Sequence, residues 1–331
     1  HEGVREIGRL ILPRTVGLAF TQLSYFANLA FTSLISTRAI TIFSFGQQLA
    51  ALPVGIFAIT ISQAALPTLS EERSKDDALA AFKRTFLTSF HQILFLVCPA
   101  AAILIVLRIP VVRLVYGASK FDWIATVDTG RVLAFLGIGL IAESAINLLV
   151  RAFFALHDSK TPVIIGSISV IINVALSFAF IFLLTSLGRP VWGLAAASAI
   201  ADVLYALALV YLLYRKVGKF EKDRFITPAI KIFTASIITG LCLYVPMKLL
   251  DRMVFDTTKT AELMMLTGTA GAIGMIVYLT LTWILKIEEL QAFLGIFTKL
   301  RSILFHAERT VSEISPEITP SSETNGPIPN S

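Results

Sequence analysis

Charged residues are scarce in this chain. Asp, Glu, Lys and Arg make up 15% of its 331 residues, where a soluble domain carries about a quarter. Cysteine is rarer still. Cys98 and Cys242 both fall inside apolar runs and form no CxxC, which leaves no basis for a disulfide framework or a zinc site. The four histidines (His1, His91, His157, His306) are scattered. No HExxH, GxSxG, Walker or GxGxxG pattern stands in a usable context. The sequence offers no positive sign of an enzyme and calls for no cofactor.

Apolar residues fill the space. They form 56% of the chain, and the mean hydropathy is +0.78. Eight apolar stretches, at about 9–33, 39–69, 86–107, 126–156, 162–187, 190–214, 227–247 and 262–285, each approach the length of a bilayer crossing. A spanning helix needs ~20 mostly apolar residues, because in lipid its backbone must satisfy its own hydrogen bonds. The expected fold is an all-α polytopic membrane protein. The chain opens on His1 without Met and runs almost at once into a span, with no signal-peptide pattern. It reads as a piece that begins inside a longer protein.

The net charge of +6 does not point to nucleic acid, because its placement follows the loops. The N-terminus, 70–85, 151–161, 215–231 and the C-terminal region together hold 19 Lys and Arg; the alternate loops hold 9. This is the positive-inside bias, and it puts both termini in the cytoplasm. Membrane lipid headgroups are sufficient partners for that charge.

The spans are not uniform. Pro53 sits near the middle of the second, in Leu52-Pro53-Val54-Gly55-Ile56, and predicts a kink or hinge. Residues 71–84 read as an amphipathic connector. Residues 108–124, with Tyr116, Phe121 and Trp123, read as a short helix on the outer surface. Small residues in the sixth span (Ala195 to Ala199) and the eighth (Gly268, Gly271, Gly274) predict close helix packing. An amphipathic interfacial helix is expected over 287–307, and a disordered tail over 308–331.

Polar groups inside the spans carry the chemistry. A charge at mid-bilayer costs about 2.5–3.5 kcal/mol by insertion scales. Glu143, Asn147 and Arg151 follow one another at four-residue steps and share one helix face, with Asn147 placed to hold Glu143. Asp202 has Ser198 and Tyr205 one turn away; Asn173 has Ser169 and Ser177. Gln47 and Gln48 precede Pro53, and Gln22 and Asn28 lie in the first span. Each has a plain alternative, a protonated acid or an interhelical hydrogen bond. Together they point to a wet cavity and a transporter.

The connectors resemble a known family. Leu52-Pro53-Val54-Gly55-Ile56-Phe57-Ala58-Ile59 through Leu66-Pro67-Thr68-Leu69-Ser70 is similar to the "LPLGIFGIAI…LLPxLS" segment of the MurJ (MviN) lipid II flippases. Phe82-Lys83-Arg84-Thr85 resembles "FRRT". The run from Arg151 to Pro162, RAFFALHDSKTP, resembles "RAFYALQDTRTP". Val115-Tyr116-Gly117, Asn173 to Ser177 and Gly193-Leu194-Ala195 also fit, in order, from about residue 7 to 216. The resemblance implies fourteen helices in the MOP-type fold, as two facing six-helix bundles and two extra helices. This chain would then be the second bundle (1–216) and the added pair (217–286), without the first bundle. It also implies movement of lipid-linked peptidoglycan precursor across the bacterial plasma membrane by alternating access. A cationic cavity and a groove for the polyprenyl tail beside the last two helices come with it. One departure is plain: Gln47-Gln48 stand where the family often has Asp-Arg, and Arg38 is the nearest substitute. The substrate-path candidates are thus Arg38, Gln47, Gln48, Glu143, Asn147, Arg151 and Asp202, with Pro53 as hinge. A polysaccharide-lipid exporter, a cation-coupled antiporter of the same fold group and a non-transporting scaffold remain open. The topology is testable in a background lacking Cys98 and Cys242. An impermeant thiol reagent added outside should label cysteine at Ser119 or Asp256 and spare cysteine at Ser159 or Lys219; the reverse pattern overturns it.

Overall fold

The computed structural model describes residues 22–71, 78–117, 121–186, 188–218, 220, 222–253, 260–291, 293 and 295. Among the described residues up to 284, ten α-helices account for nearly all: α1 over 22–35, α2 (Thr37–Pro53), α3 (Thr60–Glu71), α4 (Ala78–Val106), α5 (Arg108–Tyr116), α6 (Trp123–Ala155), α7 (Lys160–Thr185), α8 (Pro190–Val217), α9 (Lys222–Met253) and α10 (Thr260–Ile284). Seven segments among the described residues are long and apolar enough to cross a membrane, with α2 and α3 counting as one. The expected first span is described only from residue 22. Part of the 71–84 connector, much of the expected helix over 287–307 and the whole tail over 308–331 lie outside the described residues.

Local chemistry sets the helix ends. The Ser36 hydroxyl accepts the Ala39 amide at 3.1 Å and starts α2; the Asp122 carboxylate accepts the Ala125 amide at 3.0 Å and starts α6. These are N-caps, which satisfy amides the helix leaves free. Pro190 opens α8, and Gly218, at φ +80°, ends it in backbone that favours glycine.

The second span changes its helical geometry just after Pro53. Residues Val54–Ile59 form a π-helical turn between α2 and α3. Proline has no amide to donate, and the wider turn absorbs the mismatch. Side-chain hydroxyls assist: Ser62 donates to the Ala58 carbonyl at 2.6 Å, and Thr60 to that of Ile56. The short helix expected over 108–124 is α5.

Helix α6 is the centre of the bundle, packed most extensively on α8 and also on α2 and α4; α7 lies along α8, and α9 joins α4 to α10. Glycine permits the closest approaches. A Cβ on Gly139 of α6 would stand 3.0 Å from the Ala199 Cα of α8, and one on Gly193 would meet the Phe180 carbonyl of α7 at 2.9 Å. The eighth-span glycines differ from expectation. Nothing lies within 4 Å of the point a Cβ would occupy on Gly268 or Gly271, and only Gly274 faces a neighbour, Leu243. The reason is that α10 packs on α9, and less extensively on α4 and α5, and Gly268 and Gly271 lie away from those contacts among the described residues. Gly139→Leu should therefore lower the unfolding temperature in detergent by several degrees, an overpacking cost of about 1–3 kcal/mol. Gly268→Leu should leave it unchanged, as read from a thermal shift in the same detergent.

Candidate functional site

Helix α6 is a ruler for the candidate residues. At its first end, Arg38 from α2 grips Asp122 with one guanidinium nitrogen, at 2.7 and 2.8 Å from the two carboxylate oxygens. The Ala125 amide and Arg38 together hold the Asp122 carboxyl below the usual carboxylate range. Arg38 thus meets a carboxylate of its own chain. Further along α2, the Tyr116 hydroxyl of α5 donates to Gln48 Oε1 at 3.3 Å, and Phe45 stacks on the Tyr116 ring at 3.9 Å. Gln48 therefore ties the span to α5, and Gln47 is half-buried beside it.

Glu143 stands 21 residues beyond Asp122, about 30 Å along the axis at 1.5 Å per residue. Asp202 of α8 faces this level: its Oδ2 lies 3.6 Å from the point a Gly139 Cβ would occupy. Glu143 follows Gly139 by one helical turn along the same seam. Tyr205, one turn on from Asp202, donates its hydroxyl to the Pro162 carbonyl of α7 at 3.0 Å. Two carboxylates from adjacent helices thus share one seam between α6 and α8.

The expected hold of Asn147 on the Glu143 side chain is corrected. Asn147 Nδ2 donates to the backbone carbonyl of Glu143 at 3.0 Å, and Arg151 donates in the same way to the carbonyl of Asn147 at 3.1 Å. Side chains in a helix lean toward its N-terminus, which brings these donors to the carbonyl four residues back. Glu143 itself is exposed, at the edge of the α6–α8 seam.

A second polar cluster joins three spans. Ser198 Oγ of α8 accepts from Asn28 Nδ2 of α1 at 3.3 Å and from Asn173 Nδ2 of α7 at 3.5 Å, and donates to the Leu194 carbonyl. Ser177 donates to Asn173 Oδ1 at 3.0 Å. Every member is buried. The sequence displayed each of these residues as a polar break in an apolar run; only the packing joins them.

The run from Arg151 to Pro162 builds the turn between α6 and α7. His157 takes φ +55° and lets the chain reverse. Asp158 then accepts from the Thr161 amide at 3.1 Å and its hydroxyl at 2.8 Å, and receives Lys216 from the last turn of α8. Burial raises the Asp158 carboxyl, but Lys216 and Thr161 outweigh it and leave it below the usual range.

A bundle of bilayer-length helices with polar seams inside defines a polytopic membrane protein. Residues 1–287 match the family model described as "Lipid II flippase MurJ", and the chain belongs to the MurJ family, one of transporters rather than enzymes. Relatives described as "Probable lipid II flippase MurJ" include those of Haemophilus influenzae and Rhizobium meliloti. The first is 30% identical over 256 residues, covering 74% of this chain and 48% of the relative. The second is 31% identical over 264 residues, covering 78% and 47%. The chain spans about half the length of the curated relatives it matches. Among solved structures, "Lipid II flippase MurJ, inward closed conformation" superposes with a TM-score of 0.69 at 22% identity, over 86% of this chain and 55% of that one. A MATE transporter in complex with MaD3S gives 0.51 at 14%, over 86% and 67%. Both show the fold.

The Asp158 clasp gives a signed pH dependence. Its folded carboxyl lies below its unfolded value, so its contribution is complete above the ordinary pKa of about 3.9 and is lost as pH falls through the folded value. Asp158→Asn should cost about 0.5–1 kcal/mol near neutrality. The difference in unfolding temperature from the parent chain should hold constant from pH 6 to 8 and shrink below roughly pH 4.

Proposed function

We propose that residues 1–216 work as the second of two facing helical bundles of a lipid II flippase, with 217–286 as an added helix pair. The whole protein would carry lipid-linked peptidoglycan precursor from the inner to the outer leaflet of the bacterial plasma membrane by alternating access. The facing first bundle belongs to this proposal, because the chain spans only half of its relatives. The observation that carries the reading is the family match over residues 1–287. The polar seams within apolar spans support it. So does the physics of the cargo: a charged head needs a wet path, while its tail stays in lipid. The 19-to-9 loop charge bias supports both ends of the segment facing the cytoplasm.

In this reading Arg151, at the α6–α7 end, attracts the diphosphate on the cytoplasmic side. Asn147 orients Arg151 through its carbonyl. Gln47 and Gln48 line the path where the family resemblance implies an Asp-Arg pair, and Arg38, held by Asp122, marks the opposite mouth. The π turn after Pro53 is the hinge at which the second span bends between inward and outward states. The expected helix over 287–307 would lie on the inner membrane surface. One observation favours a second reading: Glu143 and Asp202 across one seam suit a cation-coupled antiporter of the same fold group.

Complementation of a flippase-deficient strain by the full-length protein tests the assignment. Arg151→Ala, at unchanged membrane levels, should reduce plating roughly tenfold or more, the scale of one lost charge-assisted bidentate contact. Arg151→Lys should keep part of the activity, and Asn173→Ala most of it. Normal growth with the alanine variant removes Arg151 from the path. Failure of the parent protein to complement, alongside drug export that Asp202→Asn abolishes, selects the antiporter.

A further inference from the structure

We infer that Arg131, Trp192 and Arg189 form a seat for the phosphate of an anionic phospholipid headgroup, at the end of the bundle where α1 meets α2. Trp192 lies in the first turn of α8 and packs against the buried cluster of Ile42, Phe43, Val132 and Leu194. The core therefore fixes its ring. Arg131 reaches the ring from α6, and Arg189 is the N-cap residue of α8. Their guanidinium carbons stand 4.2 and 4.4 Å from the indole centroid. Each gains cation–π attraction, but two like charges on one ring repel. Among the described residues the carboxylate at hand is Asp128, 3.9 Å from Arg131 on the same helix. Arg189 makes no ion pair among the described residues, and its side chain makes no cap bond to α8. The positive end of the α8 dipole lies at this end of the helix too. By contrast, Arg38 at this end is matched by Asp122.

With Asp128 set against the two guanidiniums, one positive charge is left in excess on a rigid apolar platform. A phosphodiester supplies what is missing: a single negative charge and two unprotonated oxygens, one for each guanidinium. Tryptophan rings sit at headgroup depth, so the bilayer brings that group to the seat. A zwitterionic headgroup carries its own cation and cancels the gain. The diphosphate of a polyprenyl lipid offers the same chemistry from another source, and the test separates the two.

Native mass spectrometry of the 331-residue chain released from detergent reads the bound lipid directly, with dioleoyl-phosphatidylglycerol, dioleoyl-phosphatidylcholine or undecaprenyl diphosphate added in turn. Phosphatidylglycerol should be retained and phosphatidylcholine lost. Arg131→Gln with Arg189→Gln should lower phosphatidylglycerol occupancy roughly tenfold, and the Lys pair should keep part of it. Arg215→Gln, a guanidinium over Tyr211 near the other end of α8, should change nothing. If the double variant fails to fold by circular dichroism, Arg189→Gln alone, at an exposed position, must still lower occupancy several-fold. Equal occupancy in the parent chain and folded Gln variants overturns the proposal, as does equal retention of phosphatidylcholine. Retention of undecaprenyl diphosphate alone also overturns it, and assigns the seat to a polyprenyl diphosphate.

Discussion

Backbone amides and carbonyls in lipid have no water to bond, and each one left unpaired costs several kcal/mol. The helices of this protein, its caps and the handling of its prolines follow from that cost. Where the ladder breaks, at Pro53, the chain widens into the π turn Val54–Ile59, and the Thr60 and Ser62 hydroxyls donate to nearby carbonyls. Where α6 ends, His157 reverses the chain and Asp158 accepts the amide that α7 leaves open. Irregular backbone is tolerated only where such partners are built in.

The same cost shapes side-chain polarity. Lipid tails are as apolar as leucine, so helix association relies on close packing and on polar contacts between spans. Gly139 against Ala199 supplies the packing at the α6–α8 seam, and Ser198 gathers Asn28 and Asn173 from two other helices. Glu143 and Asp202 stand apart from this pattern, since they come to neighbouring levels of the α6–α8 seam with no ion-pair partner among the described residues. They are among the residues we propose for the transport path.

Charge at the two ends of the bundle is arranged differently. At the α6–α7 end, Asp158 takes up Lys216 and closes a turn. At the α1–α2 end, Arg38 is matched by Asp122, while Arg131 and Arg189 converge on one indole with Asp128 as the carboxylate near them among the described residues. The first arrangement holds helices together; the second leaves charge to spare at headgroup depth.

The sequence by itself determined the spans, because a run of some 20 apolar residues has one stable form in lipid. It also determined the break at Pro53, which follows from a missing amide, and the family, whose connector motifs turn out to be caps and reversals such as that at Asp158. Tertiary structure alone decided the partners. Helix periodicity put Glu143, Asn147 and Arg151 on one face, but the lean of helical side chains sent Asn147 and Arg151 to carbonyls of their own helix. Gly268, Gly271 and Gly274 look alike in sequence, yet only Gly274 faces a neighbour, because composition does not say which side of a helix is covered. The pairing of Asp202 with Glu143, and of Arg131 with Arg189 on Trp192, joins residues 58 or more positions apart. Periodicity reports one helix at a time, and only packing sets which faces meet.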